Sequence, residues 1–392
     1  MHRQVPPRVV ASLPTSERLA RLRLARSENV GPVTFADLIA HCGSAEQALE
    51  ILPSLAARGG RQKAIRIASA ASARAEMEAI HAFGADLLIL GDPTYPRALA
   101  SAEPPPPVLC VKGHLHLLDR PCVALVGARN ASASGVKLAA MLAQGLGEQG
   151  FTVVSGLARG IDAAAHRGSL AHGTVAVIAG GLDSIYPEEH ADLQHDIATR
   201  GLLVSEMPLG TPPLARYFPR RNRVISGLSA GVVVVEAALR SGSLITARFA
   251  LEQNRDVLAV PGSPLDPRCR GSNRLIREGA ALVETVDDIV HALGGGLRLP
   301  LSEPEPAAFR PERRPAAMPG EAGRRAVLER LGPTPVDIDE IIRQTGLPAS
   351  TVRIVLVELD LAGRLVREPG QLVSLADATP DSLLPQAESG PI

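Results

Sequence analysis

Tryptophan is absent from the 392-residue chain, and its nine aromatics, six Phe and three Tyr, amount to 2% of it. With so few rings to stack on bases, any nucleic-acid site is expected to rely more heavily on charge than in aromatic-rich single-strand binders. Lysine is almost missing as well: only Lys63, Lys112 and Lys137 among 41 basic residues, so the other 38 are arginines. That bias has two readings, codon usage in a GC-rich genome or a demand for phosphate binding. Net charge is missing too, with 41 acidic residues against the 41 basic ones, so no overall field carries the protein to nucleic acid. Local patches are untouched by that sum. No apolar run approaches the ~18–20 residues of a membrane span. The N-terminal stretch Val9–Val10–Ala11 falls short of the ~7–15 residues of a signal-peptide core. The four cysteines (Cys42, Cys110, Cys122, Cys269) contain no C-x-x-C pair and no metal-ligand spacing. Free thiols in a reducing, cytoplasmic compartment are expected, and no metal or cofactor.

What is present suffices for a large core. Hydrophobic residues make up 45% of the chain, which excludes wholesale disorder, and at about 100–200 residues per domain the length suggests two or three domains. Residues 1–16 read as disordered. From 17 to 84 apolar residues recur at helical spacing (Leu19, Leu22, Leu24, then Phe35, Leu38, Ile39) around the tight turn Asn29-Val30-Gly31-Pro32-Val33. This segment resembles a helix-hairpin-helix or SAM-like module; a plain amphipathic helical cap is the alternative. The segment 85–294 reads differently. From Pro121, short β-branched runs (CVALVGA, FTVVSGL, TVAVIAGGL, LLVSEMP, GVVVVEAA, DVLAVPG, ALVET) alternate with helical stretches starting at Ser134, Ile161 and Ser243. Apolar runs of this kind predict parallel strands buried on both faces, hence a Rossmann-like, doubly wound, mostly parallel α/β sheet. Residues 295–323 are a Pro-rich linker. Within 324–375, three helices (RRAVLERL, Val336–Gln344, Ala349–Ala362) and a hairpin around Pro369-Gly370 predict a winged helix-turn-helix; 376–392 reads as a disordered tail.

The chemistry gathers at the strand ends. The first parallel strand runs into Gly127-Ala128-Arg129-Asn130-Ala131-Ser132-Ala133-Ser134-Gly135. Such a turn delivers unpaired helix N–H groups to an anion, with Gly127 allowing close approach, Ser132 or Ser134 capping and Arg129 adding a forked cation. It is neither G-x-G-x-x-G nor a Walker motif; a capped helix with a surface arginine is the plain alternative. The second strand ends in Ser155-Gly156-Leu157-Ala158-Arg159-Gly160-Ile161-Asp162. Asp162 and His166 at i, i+4 could form an acid–base or metal pair, although a bond clipping the helix to its neighbour is the commoner arrangement. Between Arg216 and Arg223 stand four arginines, no acid, and both Tyr217 and Phe218. Cations beside rings describe a single-stranded nucleic-acid site. A second basic cluster, from Arg268 to Arg277, includes Arg270 and Asn273. Catalytic motifs are thin: no G-x-S-x-G, no H-E-x-x-H and no carboxylate pair, though Glu206 and Glu236 both end strands on the same sheet edge.

The blocks VALVGARNASASG, VVSGLARGIDAAAHRGSL, VAVIAGGLDSIYP, SEMPLG, FPRRNRVISGLS, VVVVEAALRSGSLITARFALEQNRDVLAVPG and SNRLIREGA resemble, in unbroken order from about Leu87 to Val290, the DNA-processing protein A family (DprA, also called Smf). The N-terminal helical piece and the winged helix match an architecture found in part of that family. The resemblance implies a non-enzymatic, cytoplasmic, dimeric binder of incoming single-stranded DNA. It would help load RecA onto that DNA, which can carry single-strand binding protein, in natural transformation or recombination. It implies a DNA pocket that includes Gly127 and Arg129 and the block Phe218, Arg221, Asn222, Arg223. Gly156 and Gly160 shape the pocket, and Ala128 stands where many members have serine. Two other readings remain: a nucleotide hydrolase on a related sheet, akin to phosphoribohydrolases but lacking their P-G-G-x-G-T motif, and a winged-helix regulator. The third helix of the winged module carries a single cation, Arg353, which is sparse for duplex reading.

Overall fold

The computed structural model describes residues 12–294, 319–368 and 370–376. The expected linker up to residue 318 and the tail from 377 lie outside them. The described chain opens with four helices, α1 (Thr15–Ala25), α2 (Pro32–Cys42), α3 (Ala45–Arg58) and α4 (Ala70–Ala82). They do not stay together. Among the described residues, one compact unit holds 12–25 and 68–294; the other holds Arg26–Ile67 and the residues from 319 onward. The segment 17–84 is thus divided between two cores.

The first unit is built on nine strands: β1 (Asp86–Ile89), β2 (Val108–Gly113), β3 (Cys122–Val126), β4 (Thr152–Ser155), β5 (Thr174–Val177), β6 (Leu202–Ser205), β7 (Gly231–Val234), β8 (Asp256–Ala259) and β9 (Ala281–Leu282). Their order is β1-β2-β6-β5-β4-β3-β7-β8-β9. All pairs from β6 to β9 are parallel, as the Val/Leu runs predict, while β1–β2 and β2–β6 are antiparallel. Those two outer strands fall before Pro121, where no periodic run announces them. Between strands lie α5 (Arg97–Ala100), α6 (Ala133–Glu148), α7 (Ile161–Ser169), α8 (Ala191–Arg200), α9 (Tyr217–Leu228) and α10 (Ser243–Glu252). After β8 come α11 (Arg270–Arg277) and, beyond β9, α12 (Val286–Gly294). Alternate residues of β3 serve opposite cores. Val123 and Leu125 pack with Leu142, Leu146 and Ile161 from α6 and α7. Ala124 and Val126 pack with Val224, Ile225 and Ala247 from α9 and α10. The chain leaves β3 toward β4 on one side and β7 joins on the other, so the C-terminal ends of β3 and β7 flank a switch point, where open α/β sheets bind ligands.

The second unit joins α2 and α3 to α13 (Glu321–Leu328), β10 (Val336–Asp337), α14 (Ile338–Thr345), α15 (Ala349–Leu361), β11 (Leu365–Glu368) and β12 (Leu372–Leu375). The second helix of the winged module starts later than its apolar pattern suggests. Val336 and Asp337 pair with β12, and the Asp337 carboxylate then caps α14 at the Asp339 amide, 2.7 Å away. Helix α15 is buried nearly all round. Val352, Val355, Leu356 and Leu359 enter the winged-module core. Its remaining sides, with Ile354, Val357, Glu358 and Leu361 also buried, pack on α2 and α3. Gly59 makes that approach possible, because a Cβ there would stand 1.9 Å from the Glu358 carbonyl oxygen.

Candidate nucleic-acid interface

An open cleft of about 900 Å3 lies over the switch point, lined by the β3–α6 turn, the start of α9 and the β7–α10 turn. The residues expected there from sequence do not all reach it. Gly127, Ala128, Arg129, Phe218, Arg221 and Asn222 line it. Two guanidinium groups lie near the Phe218 ring, with the Arg129 and Arg221 carbons 5.3 and 5.6 Å from its centroid. Tyr186 meets the same ring edge-on, centroids 5.6 Å apart. Arg129 is exposed; Arg221 is only 6% exposed. Asn222 donates to the Gly242 carbonyl at 3.2 Å and ties α9 to the β7–α10 turn.

Two glycines earn their place by geometry. A Cβ on Gly156 would fall 1.2 Å from Arg221 Nη1, so this glycine makes the seat for that guanidinium. Gly160 adopts a positive φ of 72°, and a Cβ on it would meet the Ala128 carbonyl at 2.3 Å, locking the β4–α7 turn against the β3–α6 turn. Gly127 does not leave open room for a ligand. Its missing side chain makes space for Ile161, whose Cγ1 a Cβ would approach to 2.6 Å.

The N-terminus of α6, read from sequence as an anion site, already holds an anion. Glu236 accepts from the Ser132 amide at 2.9 Å and from the Ser132 hydroxyl, while Ser132 itself caps the Gly135 amide at 2.9 Å. A carboxylate on the positive end of a helix is stabilised there by the same dipole that would hold a phosphate. Ser132, not Ser134, is the cap.

Arg223, Arg270 and Asn273 are outside the lining of the cleft. Arg223 donates to the Pro104 carbonyl and to Glu206 Oε1 at 3.0 Å, and is buried. Asn273 clamps Gly262, accepting from its amide at 3.0 Å and donating to its carbonyl at 2.8 Å. Arg270 is exposed at the start of α11. Of that second cluster Arg268 reaches the cleft, paired with Asp266 at 2.8 Å. Sequence reasoning did not place Tyr186, Asn130, Arg240 or the Ser241-Gly242-Ser243 turn in this site, all of which line it. Tyr186 left one usable signal, as one of three tyrosines in the chain following a glycine-rich strand exit.

Asp162 and His166 share a helix but bond to different partners, not to each other. Asp162 Oδ2 accepts from the Gly156 and Ala158 amides at 3.1 and 3.4 Å, with Arg221 Nη1 at 3.8 Å. His166 accepts from the Leu157 amide at 3.3 Å and meets the Thr174 hydroxyl at 2.8 Å. Both clip α7 to its neighbours. Burial, aided by Arg221 and His190, pushes the His166 pKa down to about 3, which keeps the ring neutral. Among the described residues no group of acids, His and Cys is placed to hold a metal, and no helix is long and apolar enough to cross a membrane.

A doubly wound sheet whose switch-point crevice presents arginines around a ring defines a Rossmann-like α/β protein, here with an N-terminal helical and a C-terminal winged-helix module. The profile of the DNA recombination-mediator protein A family matches residues 86–294, those of a DprA-like N-terminal HHH domain and a DprA winged helix domain match 15–79 and 311–371, and the chain belongs to this family. It is 42% identical to Protein Smf of Escherichia coli over 72% of this chain and 76% of that one. It is 47% identical to the DNA processing protein DprA of Streptococcus pneumoniae over 51% of this chain and 71% of that one. The crystal structure of DNA processing protein A from Streptococcus pneumoniae superposes with a TM-score of 0.57 at 35% identity, covering 71% of this chain and 98% of that one.

Proposed function

We propose that this chain binds single-stranded DNA with little regard to sequence, shields it, and helps load RecA onto it during natural transformation or recombination. It acts in the cytoplasm as a homodimer, without a cofactor and without enzymatic turnover. The observation that carries the DNA-binding part is the Arg129–Phe218–Arg221 cluster in the cleft. Two guanidinium groups beside one ring offer cations for phosphates next to aromatic surface for bases, and neither reads base identity. The RecA and single-strand binding protein contacts and the dimer rest on family membership. Fluorescence anisotropy on a labelled oligothymidylate tests the reading. Arg129→Ala and Arg221→Ala are each expected to weaken binding about tenfold, and wild-type affinity in both would remove the cleft from the site.

The hydrolase alternative needs a free carboxylate on this edge. Glu236 is engaged in capping α6 and Glu206 in pairing with Arg223. Release of base or ribose phosphate from a nucleotide panel would restore it. The winged-helix regulator alternative needs an accessible third helix, and α15 is covered by α2 and α3.

A further inference from the structure

A carboxylate in a cleft that takes a polyanion should repel its ligand. Asp162 lines the cleft floor and is 6% exposed. Its Oδ2 holds the β4–α7 turn through two amides and faces Arg221, the one ion pair that Arg221 makes among the described residues. The 3.8 Å separation is long for a hydrogen bond, so Asp162 supplies countercharge without consuming the guanidinium donors. Arg221 makes no hydrogen bond among the described residues, and its Nε is buried, so only the terminal N–H groups can serve a ligand. Burial works against the charge on Arg221 and on Asp162 alike, and each offsets part of that cost for the other; Arg129 adds to it on the Arg221 side. On the other side, Gly156 leaves the space into which Nη1 fits.

We infer that Asp162 is a positioning residue for DNA phosphate: it holds the guanidinium of Arg221 seated over Gly156, with its terminal N–H groups left for the ligand. This rests on the cleft being the single-strand site. The consequence runs opposite to a count of charges, because neutralising Asp162 makes the cleft less negative and yet weakens its hold on DNA.

Full-length wild type, Asp162→Asn, Arg221→Ala and the double variant are titrated with a labelled oligothymidylate at fixed salt. Asparagine still offers an oxygen to the Gly156 and Ala158 amides, which keeps the turn. Asp162→Asn is expected to bind about tenfold more weakly than wild type, and to add nothing in the Arg221→Ala background. Equal or tighter binding by Asp162→Asn, or an undiminished effect in the double variant, overturns the proposal. A readout without DNA separates it from the site assignment. The Arg221 Nε–Hε NMR resonance, identified by its loss in Arg221→Ala, is expected to shift in Asp162→Asn, and an unmoved resonance rejects positioning whatever DNA does. Wild-type affinity in Arg221→Ala with a shifted resonance rejects the DNA site, and with it the role in phosphate binding. Should Asp162→Asn fail to fold, Gly156→Ala, whose Cβ would stand 1.2 Å from Arg221 Nη1 and 2.9 Å from Asp162 Oδ2, breaks the arrangement with both charged side chains retained and is expected to weaken binding comparably; wild-type affinity there overturns the seat.

Discussion

Arg221 and Arg223 stand two positions apart on α9, and on a helix that spacing turns side chains to different faces. Arg221 enters the cleft, whereas Arg223 turns toward Glu206 and the Pro104 carbonyl. The arginine-rich block is therefore two devices, one for ligand and one for the fold. Arg223→Ala removes a partly buried ion pair with Glu206 and a bond to the Pro104 carbonyl, and is expected to cost about 1–3 kcal/mol in a denaturant melt. The affinity of the folded fraction for single strands should stay near wild type. His166 makes a second residue-scale prediction. Its folded pKa of about 3 lies below the unfolded value near 6.5, so the unfolded chain takes up the proton first as pH falls. The stability it contributes is present above pH ~6.5 and is lost at about 1.4 kcal/mol per pH unit down to pH ~3. Wild type should thus destabilise more steeply than His166→Gln between those values, read from melting temperature against pH.

At the scale of elements, the winged module is the clearest case of a motif whose usual surface is taken. Glu358 on α15 is 1% exposed in its side chain and is held by Arg324 at 2.7 Å, with Arg58 of α3 at 3.9 Å. Thr34, in the first turn of α2, donates to Asp360 at 2.6 Å, and Arg364 donates to the Gly59 carbonyl at 3.0 Å. Helix α15 thus serves as a packing helix within this unit. Gly59→Val is expected to separate α3 from α15 and to destabilise the unit by about 1–3 kcal/mol, visible in thermal melts. Arg353, the exposed cation of α15, should be replaceable by Ala with no change in duplex DNA affinity measured by anisotropy. Loss of duplex binding would return α15 to the DNA-reading role.

Across the whole molecule, zero net charge coexists with a local excess of arginine at one sheet edge. Arg129, Arg221, Arg240 and Arg268 line the cleft. If all four contact phosphates, the log–log salt slope for single strands is about −3. Titrating equal-length single- and double-stranded DNA across a salt series checks both the slope and the expected preference for single strands. Much of this was legible in the sequence: the parallel core from its Val/Leu runs, the starts of α7 and α10 from their turn residues, Arg129 and Phe218 from their setting. Local pattern determines such things because strand burial, helix capping and turn chemistry act over a few neighbours. Other outcomes were decided only by tertiary structure. Glu236 reaches from the end of β7 to fill the anion site of α6, more than a hundred residues earlier. The helices of the segment 17–84 divide between two cores, and α15 turns its outer faces to α2 and α3. Each depends on which distant groups share a buried space, where an unpaired charge or an uncovered apolar face costs most, and no local pattern records that.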